Sequence, residues 1–267
     1  MLYPGLYEQV INNALNSELA KIPEARKSTA PIDTAEAAKV LAQYLTDVVQ
    51  KGLENVQDNG GGIEAQIQLA NQIVTTIQNT TQEADFAALG VDQRAEQLLA
   101  LLQQNDPRLA TGKSAKDLDR PETSIAQSSL FTGAIHEPQM YTELKKEIVS
   151  ADRIDMLVSF IKWSGLRLIM DELRQFAQSG GELRIITTSY MGATDVKAIE
   201  ELHVLPNTKI KVSYDTKRTR LHAKTYVFYR DTGFTTAYVG SSNLSNAAIS
   251  SGLEWNVKVT RKDLPET

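Results

Sequence analysis

Residues 221–243 read LHAKTYVFYRDTGFTTAYVGSSN. Two runs rich in β-branched and aromatic residues, 221–229 and 235–239, stand on either side of Asp231 and Gly233, the pattern of successive strands. Alternation along the first strand sends His222 and Lys224, two residues apart, out of one face. The second strand runs into Gly240-Ser241-Ser242-Asn243. A helix is expected over 243–250, so its first backbone N–H groups, the Ser241 hydroxyl and the Asn243 amide form an anion site.

Working outward, strands and helices alternate: helix 141–151, strand 154–160, helix 165–179, strand 183–188, helix 195–202, strand 209–214, and a last strand over 254–260. This predicts an α/β domain with a mixed sheet flanked by helices. Upstream the pattern is helical. Val40, Leu41, Tyr44, Leu45, Val48 and Val49 form a stripe along 35–53, and similar stripes mark 63–76 and 92–103. Between them and the α/β part, Pro107, Gly112, Pro121 and Gly133 interrupt a polar run. The expected organisation is therefore a helical N-terminal domain (1–104), a linker (105–136), an α/β domain (137–260) and a tail (261–267). Gly112-Lys113-Ser114 resembles the end of a phosphate-binding loop, but that motif needs a glycine at position 107, which is Pro107.

The chain has 267 residues, 42% of them apolar and 23% charged, enough for a sizeable core. It has no cysteine, which excludes disulfides and thiolate catalysis, and only three histidines, His136, His203 and His222. No metal and no cofactor is expected, since a multi-histidine site would consume nearly all of them. The net charge of −5 conceals an asymmetry. Residues 1–120 hold 10 Lys and Arg against 16 Asp and Glu, whereas 121–267 hold 18 against 17. Residues 209–230 carry seven Lys and Arg against Asp215 alone, the charge pattern of a phosphate-binding face. The apolar run 154–170 contains Asp155, Lys162 and Arg167, and the N-terminus lacks a signal-peptide pattern, so a soluble cytoplasmic protein with no membrane contact is expected. His, Lys, Ser and Asn converging without metal ligands point to phosphodiester chemistry at a histidine nucleophile.

His222-Ala223-Lys224 followed by Gly240-Ser241-Ser242-Asn243 resembles the phospholipase D superfamily signature, His-x-Lys ahead of Gly-Ser-x-Asn. The stretches IITTSYMGATD (185–195), KVSYDTKRTRLHAK (211–224) and AYVGSSNLSNAAISSGLEWN (237–256) are similar to the nuclease-like domains of that superfamily found ahead of superfamily 2 helicases in bacteria. MLYPGLYEQVIN at the N-terminus resembles the start of those helicase-linked proteins. The resemblance implies a phospholipase D-like fold and a metal-independent nuclease. His222 would be the nucleophile, Lys224, Ser241 and Asn243 would hold phosphoryl oxygens, and Glu254 would orient the imidazole. Substrate contacts are expected from Ser242, from Tyr190 by stacking, and from Arg218 and Arg220 in the basic run. The superfamily's aspartate five residues after the lysine is replaced by Tyr229, with Asp231 two positions late. One motif stands where the superfamily uses two, which implies a homodimer sharing one active site. The implied partners are nucleic acid, DNA ahead of RNA, and a helicase module in the same polypeptide of which this chain is a piece. The alternative is a non-catalytic nucleic-acid-binding module that guides such a helicase; completeness of the motif favours the enzyme.

Overall fold

The computed structural model describes residues 2–104, 106–134, 136–215, 221–251 and 254–265. The chain divides into two compact units, Met1–Leu99 and Ala100–Thr267. In the first, α1 (Asn13–Leu19) is capped by Asn12, whose side chain accepts the Leu15 N–H at 2.9 Å. The apolar stripes predict the next two helices, α2 (Ala37–Asp58) and α3 (Ile63–Thr81), separated by Gly60, Gly61 and Gly62. Ile67 is buried, while Leu41, Leu45 and Val48 of α2 remain exposed. The helix expected over 92–103 does not form. The Asp92 carboxylate instead accepts the Arg94 N–H at 2.9 Å, a local turn that competes with the helix, and Ala95 follows with φ of 55°. Leu98, Leu99 and Leu101 stay exposed, so no packing compensates for a short helix that is marginal in water.

The second unit is built from α4 (Pro107–Ala110), β1 (Ser129–Phe131), α5 (Met140–Ser150), β2 (Arg153–Val158), α6 (Trp163–Leu166), α7 (Met170–Gln178), β3 (Glu182–Thr188), α8 (Val196–His203), β4 (Thr208–Ser213), β5 (Lys224–Tyr229), β6 (Thr236–Gly240) and β7 (Asn256–Thr260). Its seven strands form one mixed sheet in the order β1-β7-β6-β5-β2-β3-β4, parallel from β2 to β4 and antiparallel elsewhere. Alternation sends Ile154, Met156, Val158, Leu183, Ile185, Tyr226, Phe228 and Tyr238 into a core with Leu144 and Ile148 of α5, Leu166 of α6, Leu173 and Phe176 of α7 and Leu202 of α8.

Four local expectations change. The helix read over 165–179 is broken into α6 and α7, and the strand read from Leu221 begins at Lys224. The helix read over 243–250 is a single π-type turn, Ala247–Ser251, because the chain before it is pinned elsewhere: Phe160 N–H donates to Asn243 Oδ1 at 3.2 Å and Lys162 N–H to the Leu244 carbonyl at 2.8 Å. The stretch 105–136, read as a linker, supplies β1 to the sheet edge, and its Glu122 and Thr123 are hydrogen-bonded to Glu143.

That last contact belongs to a buried ion cluster. Lys258 of β7, with no exposed side-chain surface, reaches Glu147 at 2.9 Å, and Arg230 reaches the other Glu147 oxygen at 2.6 Å. Lys258 also donates to the Thr123 hydroxyl at 2.9 Å, while the hydroxyls of Thr236 and Tyr238 donate to Glu147 at 2.8 and 3.0 Å. Every charge thus has partners, the condition for burying ions at tolerable cost. Burial alone would raise the Glu147 pKa, but Arg230 and Lys258 more than offset it and hold the carboxyl below its ordinary value. A carboxylate depressed in the folded state stabilises above its unfolded pKa, and that stability is lost as pH falls through the folded value. Glu147→Gln is therefore expected to cost about 3–5 kcal/mol in urea unfolding near neutral pH and to weaken the loss of stability below about pH 4.5, the ordinary value. An unchanged unfolding midpoint at both pH values would contradict this role.

Candidate active site

Strand register brings the motif residues together. Lys224, the first residue of β5, pairs with Val158 at the end of β2. Thr225 pairs with Val239 of β6, and Gly240 pairs with Asn256, the first residue of β7. His-x-Lys, Gly-Ser-x-Asn and Glu254 therefore meet at one end of the sheet, beside the C-terminal ends of β2, β3 and β4. A glycine is required at 240, since a Cβ there would overlap the Trp255 carbonyl oxygen and the Asn256 side chain. Gly165 of α6 has a similar duty, for a Cβ there would lie 2.5 Å from the Ser245 backbone. The two glycines let the loop after β6 lie close against β7 and α6.

Lys224 is buried and its ammonium folds back on the exposed His222, 3.0 Å from Nδ1, 3.1 Å from Nε2 and 2.9 Å from the His222 carbonyl oxygen. The Ser241 hydroxyl donates to Glu254, its N–H donates to the Trp255 carbonyl at 3.0 Å, and the Trp255 N–H donates to Ser241 Oγ at 3.2 Å. Asn243 is buried, its carbonyl oxygen engaged with Phe160 N–H. Ser242 is wholly buried: it donates to the Ala248 carbonyl at 3.2 Å and accepts from Asn256 Nδ2 at 2.8 Å, so it supports the loop and does not face a substrate. Tyr226 closes the floor by donating to the Ser242 carbonyl at 3.0 Å, and burial raises its pKa well above the ordinary phenol value.

Two geometric expectations are revised. Glu254 bonds Ser241 and the His222 ring is held by Lys224, so the expected contact from Glu254 to the imidazole is not formed within the single chain. The N–H groups of Ser241 and Ser242 are directed at Trp255 and at Asn256 Oδ1, and the turn after them is too short and too late to act as a helix N-terminus. Asp231 follows β5 at the opposite end of the sheet, where its N–H meets Asp152, and takes no part in the site. Tyr190 sits half-buried in the turn Tyr190–Gly192 after β3, at the same sheet end as Lys224. Arg218 and Arg220 lie outside the described residues. Sequence reasoning gave no role to Trp255 or Tyr214, both exposed at this end; the available signal was an aromatic residue immediately beside a motif residue and another at the end of a strand. Among the described residues no group of three His, Asp or Glu side chains could hold a metal ion, and no helix is long and apolar enough to cross a membrane.

Residues 144–266 match the model of a family described as "Cardiolipin synthase, PLD-like domain". The mixed sheet flanked by helices is a phospholipase D-like fold. Similar solved structures include NucT from Helicobacter pylori (22% identity, 51% of this chain and 87% of that one, TM-score 0.41). Nuc from Salmonella typhimurium, a phospholipase D family member, shares 24% identity over 52% of this chain and 88% of its own, with a TM-score of 0.39. Yeast tyrosyl-DNA phosphodiesterase shares 12% over 49% and 31%, with a TM-score of 0.33. No curated protein matches the chain.

In this phospholipase D-like fold, burial lowers the Lys224 pKa and the Glu254 carboxylate partly restores it. A side-chain NMR titration is expected to place Lys224 below the ordinary lysine value of 10.5, and lower still in Glu254→Gln, where burial acts with less opposition. A midpoint that stays or rises on that substitution would show that Glu254 does not set the charge at the site.

Proposed function

We propose that the protein is a metal-independent phosphodiesterase acting on nucleic acid through a phosphohistidine intermediate. The observation that carries the reading is the contact of Lys224 with both ring nitrogens of His222, at the sheet end that also holds Ser241, Asn243 and Glu254. In the free protein the ammonium lies where an anionic group beside the imidazole would sit. A phosphodiester entering there takes the ammonium onto a non-bridging oxygen and meets an imidazole nitrogen at attacking distance.

The chemistry then balances in two steps. An imidazole nitrogen of His222 forms a bond to phosphorus as the bond to one ester oxygen breaks, and that oxygen leaves with a proton from the partner subunit's His222. Water then attacks phosphorus and breaks the P–N bond, giving its proton to the same partner imidazole and returning both histidines to their starting state. The second histidine is why the proposal includes a homodimer with one shared site, and a two-fold axis is the usual way to duplicate a half-site. The Asn243 side-chain NH2 group and the Ser241 hydroxyl, once it exchanges its bond to Glu254 for one to phosphate, hold the phosphoryl group, and Glu254 acts through its field on Lys224. Arg218 and Arg220 contribute phosphate contacts outside the reacting centre, and DNA is the preferred substrate. The N-terminal resemblance extends the proposal to a helicase module in the same polypeptide, and to a cytoplasmic setting.

Hydrolysis of methyl p-nitrophenyl phosphate and of an oligonucleotide should persist in excess chelator and fall by at least a thousandfold in His222→Ala. Mixing native subunits with a large excess of His222→Ala should silence the native subunits too, because each mixed dimer lacks one histidine. Strict dependence on an added metal ion, or full activity per native subunit in the mixture, would refute the mechanism.

A further inference from the structure

The second unit buries Phe131, Phe176, Tyr226, Phe228 and Tyr238, yet leaves Trp255 63% and Tyr214 78% exposed. An indole left in water forfeits much of the stabilisation that its area could supply, so its position carries information. Both exposed rings stand at the sheet end that bears His222. Trp255 lies just before β7, with its carbonyl bonded to the Ser241 N–H and its N–H to the Ser241 hydroxyl oxygen, and Tyr214 directly follows β4. In the order β7-β6-β5-β2-β3-β4 they fall on opposite sides of β5. At about 4.8 Å per strand, Trp255 stands about 10 Å to one side of the strand that leads from His222, and Tyr214 about 14 Å to the other.

We propose that these two rings are stacking platforms for unpaired bases on either side of the reacting phosphate, so that a single-stranded nucleic acid lies along the end of the sheet across its strands. The inference rests on the phosphodiesterase reading and names the form of its substrate. Stacking on an aromatic face suits any base but requires that it be unpaired. A duplex, whose bases are already stacked, offers these rings nothing. The charge pattern agrees with the track: Lys217, Arg218 and Arg220 follow Tyr214 in the sequence, with Asp215 the single acid among them. Register puts Trp255 with exposed Val257 and Val239 on the sheet face opposite Lys224, so the nucleic-acid strand would pass over the end of the sheet to reach the indole, and the same apolar face would also suit a protein partner. Tyr214 separates the two occupants, since it stands between Ser213 and Asp215 and ahead of the basic run, with no apolar neighbour in the sequence on either side.

The test uses the full chain carrying His222→Asn, so that binding is read without turnover. Equilibrium binding is measured for a single-stranded oligonucleotide, the same strand with abasic positions on both sides of its centre, and the blunt duplex. Trp255→Ala and Tyr214→Ala should each weaken binding of the normal single strand by about ten- to a hundredfold, with Trp255→Phe and Tyr214→Phe near the parent. Neither alanine variant should weaken binding of the abasic strand further, because the ring then has no base to meet. Unaltered affinity for the normal strand, an equal loss on the abasic strand, or binding of the duplex as tight as the single strand overturns the proposal. So does a change in oligomeric mass in Trp255→Ala with affinity retained, which assigns the ring to a protein contact. Binding of no oligonucleotide also overturns it, while hydrolysis of methyl p-nitrophenyl phosphate by the native chain tells separately whether the phosphodiesterase reading stands.

Discussion

The close approach of β6 to β7 at Gly240 is the constraint on which the site depends. With no side chain at 240, the Trp255 carbonyl and Asn256 lie against the backbone, and Ser241 can exchange hydrogen bonds with Trp255 and Glu254. The same register places Lys224 opposite Val158 and one strand from Gly240. A one-residue slip would turn every side chain of β5 to the other face and put Lys224 outside the site. Register is strongly held because the alternating residues, Tyr226, Phe228 and Tyr238, are core residues. Packing thus fixes where the candidate nucleophile's partner lies.

The ion cluster below the sheet extends that constraint to its edge. Glu143 and Glu147 of α5 hold Thr123, Lys258 and Arg230, which belong to the segment before β1, to β7 and to the residue after β5. Removing one member leaves buried charge behind, which is why such clusters are costly to disturb even when an apolar substitute of equal volume would be tolerated. The helix, the two strands and the edge segment are in this way tied to one another from the middle of the sheet to the end remote from His222.

Much of this was legible in the sequence because it depends on local pattern. Alternation over 221–229 and 235–239, with helical spacing between the other strands, leads to the mixed sheet, and His222, Lys224, Ser241, Asn243 and Glu254 are brought to one end of it. What escaped depends on distant contacts. β1 is three residues in a polar stretch, and it is a strand because the edge of β7 is open to pair with it. The turn at 247–251 replaces a helix because Asn243 and Leu244 are held by residues 160–162, more than eighty positions away. Ser242 reads as a polar loop residue, and only the fold shows that its hydroxyl is enclosed between Ala248 and Asn256. Charge burial at Glu143, Glu147, Arg230 and Lys258 has no sequence period at all.

The central claim is that an imidazole nitrogen of His222 attacks phosphorus. It is tested most directly by quenching the native chain during turnover of a phosphorus-labelled phosphodiester, denaturing it, and mapping the label to a peptide. The account predicts a label that is stable to base, released by acid, and confined to the peptide holding His222, and absent from His222→Ala. Rapid turnover with no covalent label at any quench time, or a label on a serine such as Ser241, would contradict it.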